Sequence, residues 1–479
     1  MPSIRQRVRW AVLLRAHVAA HRDALCAAVE ADIGKPAWEA ITQELFPLSA
    51  ALQWHASRAP ALLASRPVGG RPWWLLGQRH WTYRVPAGHV LILATWNYPL
   101  QLMGIQLVQA VMAGNRVTVK PSERSPRSQA LLLQLAVQAA QEAGMPAGQI
   151  TAAEATREAG AALLRAQRFD HVLFTGSTRV GRQVAAVCAE ALTPCALELS
   201  GADTAIVLAD APMQQAARSI WHALSMNAGQ TCMAPRRVLV ERSALGRFLA
   251  EIRPLAAAAK PVHLADAAMA HTCAALVRSA VDAGGHPLSG VAEPALGDAL
   301  RPQAVVDCPR NHELCRGEHF GPVLAILGVQ DLEEAVAVHR AGGQHLATSL
   351  YTCHPDRVLR NGRLLHQLGS SVVTINDTVL PTGHPGVPIE GRGLSGWGPS
   401  RGEAGLLALT RQVVVSRTSL RLRTPLDTPA AGVQRWLARL SLGRADARAA
   451  GGMTEQGAQP AVLAPQQASK ASEAKEVAP

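Results

Sequence analysis

From Arg5 to about Ala64 apolar residues return every three or four positions, as in Val8, Val12 and Leu13 and again in Leu25, Val29 and Ile33. This spacing puts them on one helix face, so the chain is expected to open with a helical region. Pro67 and the pair Gly69-Gly70 end the rhythm. Beyond them short apolar runs alternate with helical stretches. Strands are expected at 89–94, 116–120 and 171–174, and helices at 100–112, 128–143 and 180–192. A second set follows Leu197, with strands at 204–207 and 237–241 around a helix at 214–226. Such alternation is the sequence form of a parallel, doubly wound sheet, so the expected fold class is α/β.

The most apolar long stretch, 90–113, is interrupted by Asn97, Pro99, Gln101, Gln106 and Gln109. A membrane span needs roughly 20 predominantly apolar residues, so a buried strand followed by a helix is expected here, and no transmembrane segment. The Ala-rich stretch 256–300 is assigned only to helices and loops. A Gly/Pro-rich segment at 381–402 leads to a short strand at 412–416. From Thr424 Ala, Gly, Gln, Pro and Ser dominate, which predicts a disordered tail. Within it, Trp436, Leu437 and Leu440 opposite Arg435 and Arg439 suggest a short amphipathic helix at 433–442, docked rather than membrane-bound. The expected units are 1–198, 199–380, a returning segment 381–424 and the tail 425–479.

With 48% hydrophobic and 17% charged residues the chain can bury sizeable cores. A net charge of +12 would permit binding to nucleic acid, but the basic residues are scattered and not interleaved with stacking aromatics. A solvated surface is expected instead, and no nucleic acid partner. The densest group, Arg417, Arg421 and Arg423, suits a strand edge blunted by charge. Eight cysteines form no CxxC pair and have no His at zinc-finger spacing, so no bound metal is expected. Reduced thiols fit the cytoplasm. The three arginines of the first ten residues are followed by no long apolar run, which argues against a secretory signal.

Cys232 stands apart in the polar, glycine-bearing setting Asn227-Ala228-Gly229-Gln230-Thr231, between a helix and a strand, where a thiol can be reached. An attacking cysteine needs donors or positive potential to raise its thiolate fraction. A second candidate is Gly176-Ser177-Thr178-Arg179-Val180-Gly181, a strand-to-helix turn whose backbone N–H groups can receive a pyrophosphate, although it is not GxGxxG. Read alone, Cys232 could be an ordinary buried cysteine, Asn97 a turn residue before Pro99, and Glu198 a strand-end charge.

The segments LELSGAD (197–203) and NAGQTCMAPRRVLV (227–240) resemble the two signature motifs of the aldehyde dehydrogenase superfamily. PAGHVLILATWNYPL (86–100), GNRVTVKPSERSP (114–126) with FTGSTRVGR (174–182), and EHFGPVLAI (318–326) resemble further family segments in the family's order. The resemblance covers about residues 5–420. It implies a Rossmann-like cofactor-binding domain (1–198), an α/β catalytic domain (199–380) and a C-terminal segment that bridges subunits. It implies that Cys232 attacks an aldehyde, that the Asn97 amide and the Cys232 backbone N–H hold the oxyanion, and that Glu198 activates the water that releases the acid. Lys120 and Glu123 would hold the adenosine ribose, Gly176, Ser177 and Gly181 the pyrophosphate turn, and Glu318 and Phe320 the nicotinamide end. A carboxylate at Glu123 would repel a 2′-phosphate, so NAD is the expected cofactor, with NADP admitted.

The chain departs from the family pattern where Ser200-Gly201-Ala202 replaces Gly-Gly-Lys after the glutamate, and where Pro388-Ile389-Glu390-Gly391 replaces Pro-Phe-Gly-Gly. It also begins almost directly at the first helical region, which resembles the shorter, class-3-like members and implies a homodimer. A CoA-acylating or acyl-reducing member, or a non-catalytic scaffold on the same fold, are the alternatives. Retention of Glu198 speaks against the former, and retention of Asn97, Glu198 and Cys232 together against the latter.

Overall fold

The apolar spacing of the opening segment forms the helices Ile4–Ala20, Arg22–Ile33 and Phe46–Leu62, with a π-helical turn, Ala40–Leu45, leading into the last. Ser3 starts the first helix with a capping box, in which its side chain accepts from Gln6 N and the Gln6 side chain accepts from Ser3 N. The computed structural model describes residues 1–72, 75, 77–419 and 428–442. Trp10, Leu14, Leu25, Leu48 and Leu52 of the opening helices are buried in one core with the helices Gln101–Ala113 and Pro126–Glu142. Every residue of Gln101–Ala113 is buried, which explains why its sequence reads as apolar all round and not as amphipathic.

Two mainly parallel sheets follow. The first has the order Gly396–Trp397, Cys195–Leu199, His171–Gly176, His89–Leu93, Arg116–Lys120, Ile150–Ala152. Its strands alternate between two cores. Val90 and Ile92 face the N-terminal helices, whereas Leu91 and Leu93 face the helices Arg157–Ala166 and Thr178–Glu190 with Val172, Phe174 and Val184. Both faces are covered, which is why these strands read as apolar runs. Truncating Ile92 to Ala would cost about 2–5 kcal/mol. The second sheet has the order His286–Pro287, Gln303–Val306, Val323–Val329, Pro235–Glu241, Asp203–Val207, Ala347–Tyr351, Val372–Ile375, and only its first strand pairs antiparallel.

Strand order reverses in the first sheet between His89–Leu93 and His171–Gly176, and such a switch point opens a crevice at the carboxyl ends of the strands. Only residues 200–202 separate the end of Cys195–Leu199 from the start of Asp203–Val207. This short link sets the carboxyl ends of one sheet against the amino ends of the other.

The expected strand at 412–416 extends over Thr410–Thr418 and forms a three-stranded sheet with Arg66–Pro67 and Gln78–Pro86. The stretch 256–300, expected to hold only helices and loops, contains the helix Ala267–Asp282, whose Cys273, Ala274 and Val277 enter the core of the second sheet, but also the short strands Val262–His263, His286–Pro287 and Ala299–Leu300. Contacts join residues 1–74 and 79–417 into one unit, and residues 75–78 and 418–479 into another. In the latter, Ser419 N donates to Gly77 O at 2.8 Å, and Ala431–Leu442 is helical. Arg421, Arg423 and most of the tail expected to be disordered lie outside the described residues.

Candidate active site

A cleft of about 1250 Å³ lies where the two sheets meet. The carboxyl ends of the first sheet contribute Asn97, Lys120, Glu123, Gly176, Ser177 and Glu198, and the segments entering the second contribute Cys232, Glu318 and Phe320. Nine of the ten residues expected from sequence therefore line one cavity. The tenth, Gly181, does not line it. It is buried in the helix Thr178–Glu190, where an added Cβ would stand 2.5 Å from Leu199 Cδ2, so its contribution is to let the helix lie close on the sheet. Among the described residues, Cys232 is the thiol that lines the cleft.

The turn before Cys232 is left-handed at Asn227 (φ 53°), Ala228 (φ 53°) and Gly229 (φ 73°). At Gly229 only a glycine fits, because a Cβ would come within 2.4 Å of Gly321 C and Pro322 N. Hydrogen bonds hold the turn. The Gln230 side chain donates to Asn227 O at 3.1 Å and accepts from Ala265 N at 2.8 Å. Arg236, fully buried, donates to Gly229 O, Thr231 O and Gly321 O at 2.9, 3.0 and 2.8 Å.

The polarity of this loop suggests an accessible thiol, but Cys232 is partly buried at the edge of the cleft. Burial, and then the charges of Glu198 and Asp203, push its thiol up to about 12, against smaller opposing effects of Arg401 and Arg236.

Asn97 is buried, and its amide donates to Gln230 O at 3.0 Å while its side-chain oxygen accepts from Thr95 Oγ1 at 3.1 Å. One amide proton is thus engaged and a second remains for another acceptor. Two residues that sequence reading missed fix this loop. Lys35 Nζ donates to Asn97 O at 3.0 Å and pairs with Glu44, both side chains being wholly buried. Glu44 Oε2 in turn accepts from Leu100 N and Gln101 N at 3.1 and 2.8 Å, at the start of the helix that follows. Asn227 Nδ2 donates to the same Asn97 carbonyl at 2.9 Å, tying the two loops together.

At the other end of the cleft Glu123 pairs with Lys120 at 3.1 Å and with Arg157 at 2.7 Å. Burial acts to raise the Glu123 carboxyl, but the hydrogen bonds from Arg157 and Lys120 outweigh it and hold the group at about 2. The Ser177 side chain caps the helix Thr178–Glu190 by accepting from Val180 N, so the first turn of that helix presents backbone donors at the cleft. Phe320 meets Trp96 edge to face, with ring centroids 5.8 Å apart, beside Arg124 and Glu318. An extended crevice with a capped helix start in the middle, a carboxylate–lysine pair at one end and aromatic rings at the other fits a dinucleotide.

The model of the aldehyde dehydrogenase family matches residues 2–415. A probable coniferyl aldehyde dehydrogenase of Pseudomonas aeruginosa is 31% identical over 422 residues, covering 86% of this chain and 86% of that protein. A dimeric, NADP-preferring aldehyde dehydrogenase of Canis lupus familiaris is 29% identical over 404 residues, covering 83% of this chain and 86% of that one. The crystal structure of an NAD-dependent aldehyde dehydrogenase from Sinorhizobium meliloti superposes with a TM-score of 0.81 at 25% identity, covering 89% of this chain and 84% of that one. The matched region takes in both sheets and every residue of the cleft, and on that ground the chain belongs to the aldehyde dehydrogenase family and is an enzyme that oxidises aldehydes with NAD or NADP.

Proposed function

We propose that Cys232 attacks the aldehyde carbon, that Asn97 and the Cys232 backbone N–H hold the resulting oxyanion, and that Glu198 deprotonates the water that ends the cycle. The observation that carries this reading is that all three residues line one cleft, with the Asn97 amide tied to Gln230 O two residues before the thiol. Each oxyanion donor of this kind is worth on the order of 10²–10³ in rate. A dinucleotide held by the first turn after Ser177 and by Glu318 and Phe320 would supply the hydride acceptor. Cys232 forms a carbon–sulfur bond to give a thiohemiacetal, and loss of a hydride from the carbonyl carbon leaves a thioester. Glu198 takes a proton from water, the hydroxide adds to the thioester, and the carbon–sulfur bond breaks. In total the aldehyde loses two electrons, water supplies the second oxygen of the acid, and two protons are released.

On the cofactor side, Lys120 and Glu123 suit the adenosine ribose, the first turn after Ser177 the pyrophosphate, and Glu318 and Phe320 the nicotinamide end. Glu123 is held as a carboxylate at neutral pH, which supports NAD over NADP. The first sheet with its helices, 1–198, would then be the cofactor domain, 199–380 the catalytic domain and 381–424 the returning segment. A homodimer is supported by the exposed valines of Thr410–Thr418 and by the dimeric relative. Eight free thiols support the cytoplasm, and no helix among the described residues is long and apolar enough to cross a membrane.

The test separates the two halves of the chemistry. Glu198→Gln removes the base and keeps the size of the side chain. General-base help is typically worth 10²–10⁴-fold, and turnover should fall by that order. Rapid mixing with NAD and an aldehyde should give a burst of NADH near one per site, with an acyl adduct on Cys232 in the intact mass. Equal slowing of burst and turnover with no adduct would refute the assigned role of Glu198.

A further inference from the structure

Asp266 divides its carboxylate between two tasks. Oδ1 accepts from Met269 N at 2.8 Å and so caps the helix Ala267–Asp282, which packs into the core of the second sheet. Oδ2 pairs with Arg124 Nη2 at 2.7 Å. Arg124 comes from the other side, from the loop between the strand Arg116–Lys120 and the helix Pro126–Glu142 of the first sheet. Its Nη1 also reaches Met269 Sδ at 3.4 Å, and its guanidinium lies over the Trp96 ring, 5.3 Å from the centroid. One arginine thereby ties the two sheets together beside the cleft, which Trp96, Arg124, Met269 and Phe320 all line. The far end of the tie is next to Ala265, whose N–H donates to Gln230 in the turn that carries Cys232.

The strength of the pair does not explain its place. Its side chains are 33% and 34% exposed, and an ion pair so exposed adds little to the fold, up to about fivefold in the folding equilibrium. A weak, solvated pair suits a closure that opens in every catalytic cycle, while the stacking on Trp96 fixes where the arginine lands when it closes. An enzyme that reduces a dinucleotide must release it once per turnover, and opening of the site often limits that step.

We propose that Arg124 and Asp266 form a strap across the cleft, on the reading of that cleft as the dinucleotide site, and that opening of the strap governs how fast the reduced dinucleotide leaves. Closed, it holds the loop of Arg124, with Trp96 beneath the guanidinium, at a fixed distance from the start of Ala267–Asp282. Both residues act by positioning these two sides around the ligand.

The experiment follows NADH leaving the enzyme, by its fluorescence after rapid mixing with excess NAD, in the wild type, Arg124→Met, Asp266→Asn and the double variant. Asparagine keeps the helix cap and removes the charge. Each single variant should release NADH about two- to fivefold faster. The double variant should be no faster than Arg124→Met, because a pair broken from either side is broken once. Salt at about 1 M shortens the screening length to about 3 Å, so it should speed release from the wild type and narrow its gap to the variants. The Tm of each variant should stay within about 2 °C of the wild type, as the loss of one exposed pair implies. Unchanged release in both single variants, effects that multiply in the double variant, a gap that salt leaves intact, or a Tm that falls in step with faster release would each overturn the proposal. A Phe320→Ala enzyme that holds NADH as tightly as the wild type would instead remove the reading of the cleft on which it rests.

Discussion

A thiol attacks as its thiolate, yet burial and the carboxylates of Glu198 and Asp203 push Cys232 up to about 12. Glu198 therefore pulls in two directions, hindering formation of the nucleophile and supplying the base for hydrolysis. Glu198→Gln should lower the Cys232 pKa, because a negative neighbour that penalises the thiolate is gone. Iodoacetamide should then label Cys232 several-fold faster at pH 8, in the same variant whose steady-state oxidation has collapsed. Unchanged labelling would mean that the Glu198 charge does not reach the sulfur. Glu123 poses the corresponding question at the cofactor end. Its carboxylate neutralises Lys120 and Arg157, so Glu123→Ser removes a repulsive charge and releases two cations toward any 2′-phosphate. The ratio of kcat/KM for NADP over NAD should rise about tenfold, the worth of one charge-assisted contact. A ratio that stays put would show that Glu123 does not face the ribose.

At the scale of elements, the loop bearing Asn97 is held from a helix pair far away in sequence. The π-helical turn Ala40–Leu45 carries Glu44, which meets both Lys35 and the amides of Leu100 and Gln101. Lys35→Met leaves the Asn97 carbonyl without its ammonium and Glu44 without its counter-charge. Breaking a buried pair on one side costs about 3–5 kcal/mol, so urea denaturation should register a loss of that order. Small misplacement of an oxyanion donor costs up to about 10²-fold, so kcat should fall while the KM for NAD changes little. Lys35→Met with Glu44→Gln should recover stability but not kcat; recovery of both would reduce the pair to a structural role. Very little of this device was legible in the sequence. Strands such as Arg116–Lys120 could be read to the residue because both of their faces are buried and β-branched residues fill them. Cys232 and Glu198 were found through motifs, which carry chemistry in adjacent positions. Lys35 meets Asn97 across 62 residues, and no local pattern marks such a pairing. The strand Gln78–Pro86 was missed although Trp81, Tyr83 and Val85 alternate with Thr82 and Arg84, because one of its faces is exposed and the other only half-buried, so no apolar run marks it.

For the whole molecule, the short link at 200–202 makes one sheet end where the other begins, so the reacting groups converge although they are drawn from segments between Asn97 and Phe320. The same chain ends its larger unit in a strand that its own core does not cover. Thr410–Thr418 lies at the edge of a three-stranded sheet, with Val413, Val414 and Val415 at 42%, 59% and 44% exposure. Consecutive valines on an uncovered edge are a template for pairing with another chain, and monomeric proteins usually blunt such an edge with charge. A closed two-fold dimer would bury this strand once in each subunit, and a stable interface needs roughly 1,200–2,000 Å² in all, more than the strand alone can offer, so neighbouring surface must join it. Sedimentation at micromolar concentration should give twice the 50.7 kDa chain mass. Val414→Lys places a charge in the middle of the strand and should convert most of the protein to monomer at the same concentration, with the far-ultraviolet circular dichroism unchanged. A wild-type monomer or tetramer would rule out the dimer. A Val414→Lys protein that remains dimeric would keep the dimer and move its interface to another face.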